Sequence, residues 1–230
     1  LLDQLPDNPR LIKHNPVELE QSLFKQLVWQ VTALASEVKS ARCDILFSTD
    51  ASTLCRFKPM VVLSQDMLSY EPGVMRYFGY GFARFRLLAI LVIQNLAFRR
   101  AIGVVFLTHY AAKVIQQSCG PLPSTVCVPH GVDVVFKQSQ AVTSWPDEGQ
   151  RPISCIYVSN AEMYKHQWIV VKAISLIRKR GYNVTLSLVG GCKGPAQHLL
   201  QDAIADSDPE GIFVKQLEFL PHAELPKLLV

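Results

Sequence analysis

Lys165 sits where a polar loop, Ser159 to Lys165, meets a helical pattern. A cation beside the free N–H groups of a helix N-terminus would hold an anion such as a diphosphate. The helix dipole alone contributes about 0.3–1 kcal/mol. The competing reading is a solvated lysine in an ordinary loop. Gly190 and Gly191 directly follow an apolar run, VTLSLV. Glycines at a strand end let a ligand or another backbone come close. Gln65 and Asp66 follow a second apolar run, MVVLS, and polar residues just past a strand are site candidates. His130 and His166 each border a loop at a strand end, where a neutral imidazole can donate to a hydroxyl or phosphate oxygen. Each also reads as a structural, hydrogen-bonding histidine.

Other chemistries lack their motifs. No GxGxxG follows a strand, and no GxxxxGK[ST] or GxSxG occurs. The six histidines show no HExxH or other metal-ligand spacing, so no metal and no cofactor are expected. The six cysteines form no CxxC pair. Cys43, Cys127 and Cys155 lie in apolar runs and read as small core residues of a reducing, cytoplasmic protein. The net charge of +4 is small and spread out, unlike that of a nucleic-acid binder. It leaves room for anionic small molecules or for attraction to an anionic membrane surface. The first residues, LLDQLPDNPRLIKHN, do not read as a signal peptide, and the missing initiator Met suggests a partial chain. The longest apolar run, Leu87 to Ile93, is far too short to span a bilayer.

The elements that must position these residues follow from periodicity. Val17 to Lys39 repeats apolar residues at three or four (Leu19, Leu23, Leu27, Val31, Leu34), which predicts one helix starting near Pro16. Strands are expected at Asp44 to Ser48, Met60 to Ser64, Ile102 to Leu107, Thr125 to Val128, from Ile153, at Val184 to Val189, and at Ile212 to Lys215. Helices are expected over Arg84 to Arg100, over Tyr110 to Gln117 with Thr108 as cap, and before Arg180 with Val170, Ile174 and Ile177 on one face. A further helix should follow Gly194-Pro195. The aromatic segment 65–82 reads as a loop with two carboxylates, Asp66 and Glu71. The basic-ended helix 84–100 suits a core position or an anionic interface, that is, peripheral membrane contact.

Alternating strands and helices predict an α/β fold, with parallel sheets and helices on both faces. Residues 137–152, KQSQAVTSWPDEGQRP, are polar with two prolines and a glycine. They divide the chain into a first domain at 1–133, a linker at 134–152 and a partial second domain at 153–230.

The order of these motifs resembles family-4 glycosyltransferases of the B-type, two-Rossmann fold. VCVPHGVDVVF is similar to that family's hinge-side P-N-G-V-D-x-x-x-F. IYVSNAEMYKHQWIVVKAI is similar to its donor loop, G-R-L-x-x-x-K-G before a helix. VTLSLVGG resembles its L-x-I-v-G-x-G strand and turn, and IFVKQLEFLPHAELPKLL its V-x-F-x-G-x-v-p-x-e-e-L-p-x-l segment. PMVVLSQDM resembles P-v-V-x-x-H-D, and IGVVFLTHYAAKVI resembles a-d-x-v-i-x-x-S. The resemblance covers roughly residues 40 to 230.

It implies sugar transfer from a nucleotide-diphosphate donor to an acceptor, usually without a metal; the basic helix 84–100 would suit a glycan or lipid-linked acceptor at the cytoplasmic face. Lys165 matches the motif lysine that holds the diphosphate, and Gly190 and Gly191 match the donor turn. Asn160 stands where the family has arginine, His166 where it has glycine, Gln65 where it has histidine and His130 where it has asparagine. Asp66 matches the family's acid. These departures leave two readings: an enzyme of a divergent branch, with Gln65 and Asp66 facing acceptor or sugar, or a non-catalytic remnant or binding module. A sugar-nucleotide epimerase of the same fold ranks lower.

Overall fold

A computed structural model describes residues 8–137, 152–191 and 193–228. The chain forms two compact units, Leu1–His130 and Gly131–Val230. The boundary expected from composition lay at 134–152, and residues 138–151 of that segment fall outside the described residues.

Among the described residues the first unit holds four parallel strands in chain order: β1 (Leu46–Ser48), β2 (Met60–Ser64), β3 (Gly103–Phe106) and β4 (Thr125–Cys127). The second holds three, again in order: β5 (Ile153–Val158), β6 (Val184–Val189) and β7 (Val214–Leu217). Two strands, β2 and β6, begin and end where the apolar runs predict. The others differ by a few residues at their ends, the usual uncertainty of a boundary read from pattern.

Helices α1 (Leu23–Thr32) and α2 (Leu34–Ser40) replace the single helix predicted over 17–39. A 3-10 turn, Val17–Glu20, comes first, and extended Gln21 and Ser22 separate it from α1. The predicted stripe is not what this region buries: Leu19, Leu23 and Val31 are exposed, while Trp29 and Val38 are buried. Trp29 Nε1 donates to Glu37 Oε1 at 2.9 Å, tying α1 to α2. Val38 packs with Cys55 and Phe57, against Leu46.

Helices α3 (Phe82–Arg100) and α4 (His109–Cys119) cover the sheet of the first unit. Phe98, Ala111, Ile115 and Cys119 meet Met60, Val62, Val104 and Phe106 in one core. Thr108 caps α4 as expected, its side chain accepting from Ala111 N–H at 3.0 Å. In the second unit α5 (Gln167–Lys179) and α6 (Pro195–Ser207) cover β5 to β7. A short helix, α7 (Leu225–Leu228), follows. The inward stripe of α5 is rotated from the predicted one. Gln167, Val171, Ile174 and Ser175 are buried, while Val170 is half-buried and Ile177 exposed.

The expectation of helices on both faces does not hold among the described residues. Both sheets step in one direction, with no reversal of strand order. Right-handed crossovers that always step the same way place every helix on the same face. The other face stays open: Phe47 and Val126 are exposed, and Val61, Leu63 and Val105 are half-buried. Cysteine burial also departs from expectation. Cys43 is exposed, Cys127 and Cys155 are half-buried, and Cys55 and Cys119 are deeply buried.

The start of β7 is fixed by a carboxylate. Asp208 accepts N–H bonds from Ile212, Phe213 and Val214 at 2.8, 2.8 and 2.7 Å. The N–H groups of the two residues before it, Ile212 and Phe213, are taken up by Asp208, and the strand starts at Val214 rather than at the predicted Ile212. Burial alone would raise the Asp208 pKa, but the three backbone donors and Arg178 outweigh it and hold it below the usual aspartate range. The folded state therefore gains from Asp208 above about pH 4, and that gain fades as pH falls through the lowered pKa. Asp208→Ala should cost ~3 kcal/mol, because three donors lose a charged partner. Urea unfolding at pH 7 and pH 3 checks this: the wild-type advantage should shrink at the lower pH.

Candidate functional site

The second unit gathers five candidate residues at the carboxyl ends of β5 and β6. In open α/β sheets this edge is where ligands bind. The two strand ends are tied by backbone bonds. Ser159 N–H donates to Val189 O at 2.8 Å, and Ala161 N–H to Gly191 O at 3.1 Å. Gly190 N–H donates to Leu217 O at 3.2 Å, adding the end of β7.

Gly190 is required here. Its φ is +150°, and a Cβ on it would lie 2.2 Å from Ser159 O and 2.9 Å from Asn160 N. The close approach expected at this glycine is thus made by backbone. Gly191 N–H donates to Asn160 Oδ1 at 2.9 Å. Asn160, standing where the resemblance has an arginine, holds the turn together through its carbonyl oxygen. Its amide nitrogen keeps two donors directed away from that bond.

Lys165 ends a 3-10 turn, Met163–Lys165. Its backbone is held on both sides: its N–H donates to Glu162 O at 2.9 Å, and its carbonyl accepts from Tyr157 Oη at 2.7 Å. The ammonium lies 5.1 Å from the centre of the Tyr164 ring, and the side chain is exposed. His166 follows at φ 52°, ψ 33°, the left-handed region, in the N-cap position of α5. A glycine, which the resembling motif has at this position, adopts such a conformation without strain. A β-carbon in that conformation costs roughly 1–2 kcal/mol. The His166 ring meets Trp168 edge to face at 5.2 Å, and among the described residues no side-chain cap bond closes the start of α5. Lys165 and the uncapped first turn of a 13-residue helix therefore adjoin in sequence.

The hollow between the two loops, lined by Ser159, Gln167, Gly190, Gly191 and Gln216 among others, has no room for even one water molecule. Ligand pockets run to ~300 Å³ or more. A nucleotide would lie across the outside of this turn rather than within it. Gln167 and Tyr157 are the positioning residues missed in the sequence. Gln167 is 3% exposed, and its Nε2 donates to Ser159 O at 2.8 Å. A polar residue at a core position of the first helical turn is the signal that marks it.

In the first unit Gln65 and Asp66 follow β2 and are exposed. Asp66 Oδ1 accepts from Leu68 N–H at 2.8 Å, so it also caps a turn. His130 is exposed beyond β4. The aromatic segment is better anchored than a loop reading suggests. Tyr70 is buried and donates to Asn95 Oδ1 at 2.8 Å. Tyr110 Oη donates to Glu71 Oε1 at 3.0 Å, and that bond raises the Tyr110 pKa. No group of three His, Cys, Asp or Glu among the described residues is arranged to hold a metal ion.

No protein-family model matches the sequence, and no curated protein matches it significantly. Solved structures do match. Sucrose-phosphate synthase from Thermosynechococcus elongatus is 16% identical, over 96% of this chain and 60% of its own, at a TM-score of 0.63. Anabaena HepE, in complex with UDP and glucose, is 19% identical, over 88% of this chain and 55% of its own, at 0.59. An S. aureus TarM variant with Fondaparinux, alpha-GlcNAc-glycerol and UDP is 13% identical, over 76% and 31%, at 0.51. The chain spans less than two thirds of the length of each. It has the B-type glycosyltransferase fold, with Rossmann-like parallel sheets in both units.

If Gly190 is fixed by the backbone beside it, Gly190→Ala should destabilise by about 2–4 kcal/mol. Gly181→Ala is the control. It shares a positive φ, +95°, but has nothing within 4 Å of the added carbon. Thermal melts should rank wild type above Gly181→Ala, and Gly181→Ala above Gly190→Ala.

Proposed function

We propose that this chain is part of a glycosyltransferase that takes a nucleotide-diphosphate sugar as donor and a glycan or lipid-linked molecule as acceptor. The observation that carries the reading is Lys165, its backbone held from both sides, at the mouth of an uncapped helix beside the Gly190-Gly191 turn. Two of the solved structures of this fold are complexes with UDP, which supports a donor of that class.

In this reading the donor diphosphate lies across the turn. The first N–H groups of α5, the Asn160 amide and the Lys165 ammonium face its oxygens. As the glycosidic bond to the diphosphate breaks, negative charge grows on the leaving oxygen. Donors fixed in advance stabilise that charge more than they stabilise the ground state. Lys165 supplies the countercharge that a metal ion supplies in other transferases. Gln65 and Asp66 serve the acceptor or the transferred sugar, with His130 at the hinge.

A second reading, a binding module without turnover, is favoured by Asn160. An arginine would bring a second cation to the diphosphate, whereas the Asn160 carbonyl oxygen is committed to Gly191.

Titration calorimetry with UDP, GDP and ADP tests the site. One of them should bind, and Lys165→Ala should weaken it roughly tenfold or more, the worth of a charged hydrogen bond. Binding unchanged by Lys165→Ala, or no binding by a cooperatively melting protein, would remove the proposal. Binding without donor turnover would select the second reading.

A further inference from the structure

Helix α3 is apolar on two sides. Leu87, Gln94, Ala97 and Phe98 face the sheet. On the opposite side Phe82, Phe85, Leu88, Val92 and Leu96 recur at three or four residues and are exposed, Phe82 by 82% and Phe85 by 71%. A helix that is apolar all round is normally covered all round. The helix is about 28 Å long. It carries four arginines, Arg84, Arg86, Arg99 and Arg100, and no carboxylate. No helix among the described residues is long and apolar enough to cross a membrane.

A second observation lies at the C-terminal end of α3. Arg100, one turn beyond Leu96, lines a cleft of about 450 Å³ together with Cys55, Arg56, Phe57 and Lys58. Three cations line this cleft and no carboxylate does. None of the three has a hydrogen-bond or ion-pair partner among the described residues. Like charges gathered without a counter-ion favour an anion between them.

We propose that the outer face of α3 and this cleft together form a docking surface for an anionic phospholipid bilayer. The helix lies in the plane of the interface, with Phe82, Phe85, Leu88, Val92 and Leu96 against the acyl boundary. Lipid phosphates occupy the cleft among Arg56, Lys58 and Arg100. At the other end Tyr80, 98% exposed, carries the Arg84 guanidinium 4.8 Å from its ring centre. That pair suits the headgroup layer, where amphipathic rings and arginines settle. Charge decides against a second copy as the cover. A two-fold contact through this face would set the arginine-rich ends of α3 against each other, with no carboxylate on the helix to offset them. The inference does not rest on the nucleotide site.

Co-sedimentation with vesicles tests it, using phosphatidylcholine alone and phosphatidylcholine doped with phosphatidylglycerol. The chain should bind the anionic vesicles and bind neutral ones weakly. The double variant Arg56→Ala, Lys58→Ala should lose roughly 25-fold, about fivefold per cation. Phe85→Asp, and separately Phe82→Asp, should lose roughly tenfold or more on the anionic vesicles. All four positions are exposed, so circular dichroism should show unchanged folding. No binding to anionic vesicles, equal binding to neutral ones, or wild-type binding by both aspartate variants would overturn the proposal. A dimer in sedimentation velocity that Phe85→Asp dissolves would overturn it too, assigning the face to a second copy.

Discussion

The close contact between Gly190 and Ser159 is the constraint on which the second unit depends. It brings the ends of β5 and β6 together so tightly that no side chain fits between them. Because the ends meet, Asn160 reaches Gly191, and Gln167 reaches the Ser159 carbonyl from the first turn of α5. That second bond fixes where the helix begins relative to the strand. The loop between them must then close in a short span, which it does through a 3-10 turn and a left-handed His166. Lys165 is placed by this chain of contacts.

Topology sets a second constraint. Strand orders that never reverse put the helices on one face of each sheet, and leave the other half-open. The switch point at which doubly wound sheets usually form a crevice is therefore absent among the described strands. The candidate residues lie instead along loop edges, and the hollow beside the Gly190-Gly191 turn is shallow. The same one-sided layering leaves the outer face of α3 uncovered.

Much of the sheet was legible because its strands are short apolar runs bounded by polar loops. MVVLS and VTLSLV needed no tertiary information. The Thr108 cap was legible as well, since a threonine before an amphipathic run has one obvious local bond to make. Three features were not. The break between Glu20 and Leu23 is invisible to periodicity, because the leucines keep their spacing across it. The start of β7 is set by Asp208, whose partners lie four to six residues ahead and whose role depends on the fold. The rotation of α5 follows from Gln167, a polar residue that hydropathy assigns to the surface and the structure buries. At the site, the placement of Lys165 and the glycines at strand and loop ends was readable. The role of Gly190 was left between ligand and backbone, and the geometry assigns it to backbone. His166 looked like a departure from a pattern; its left-handed backbone shows which property the glycine of that pattern serves.

The most direct test of the central claim is a backbone amide NMR titration of the chain with nucleoside diphosphates. The proposed donor site predicts large, saturable shifts confined to the Ser159–Trp168 loop and helix start and to Gly190 and Gly191. Saturable shifts centred elsewhere, or none at these amides in a folded protein, would contradict it.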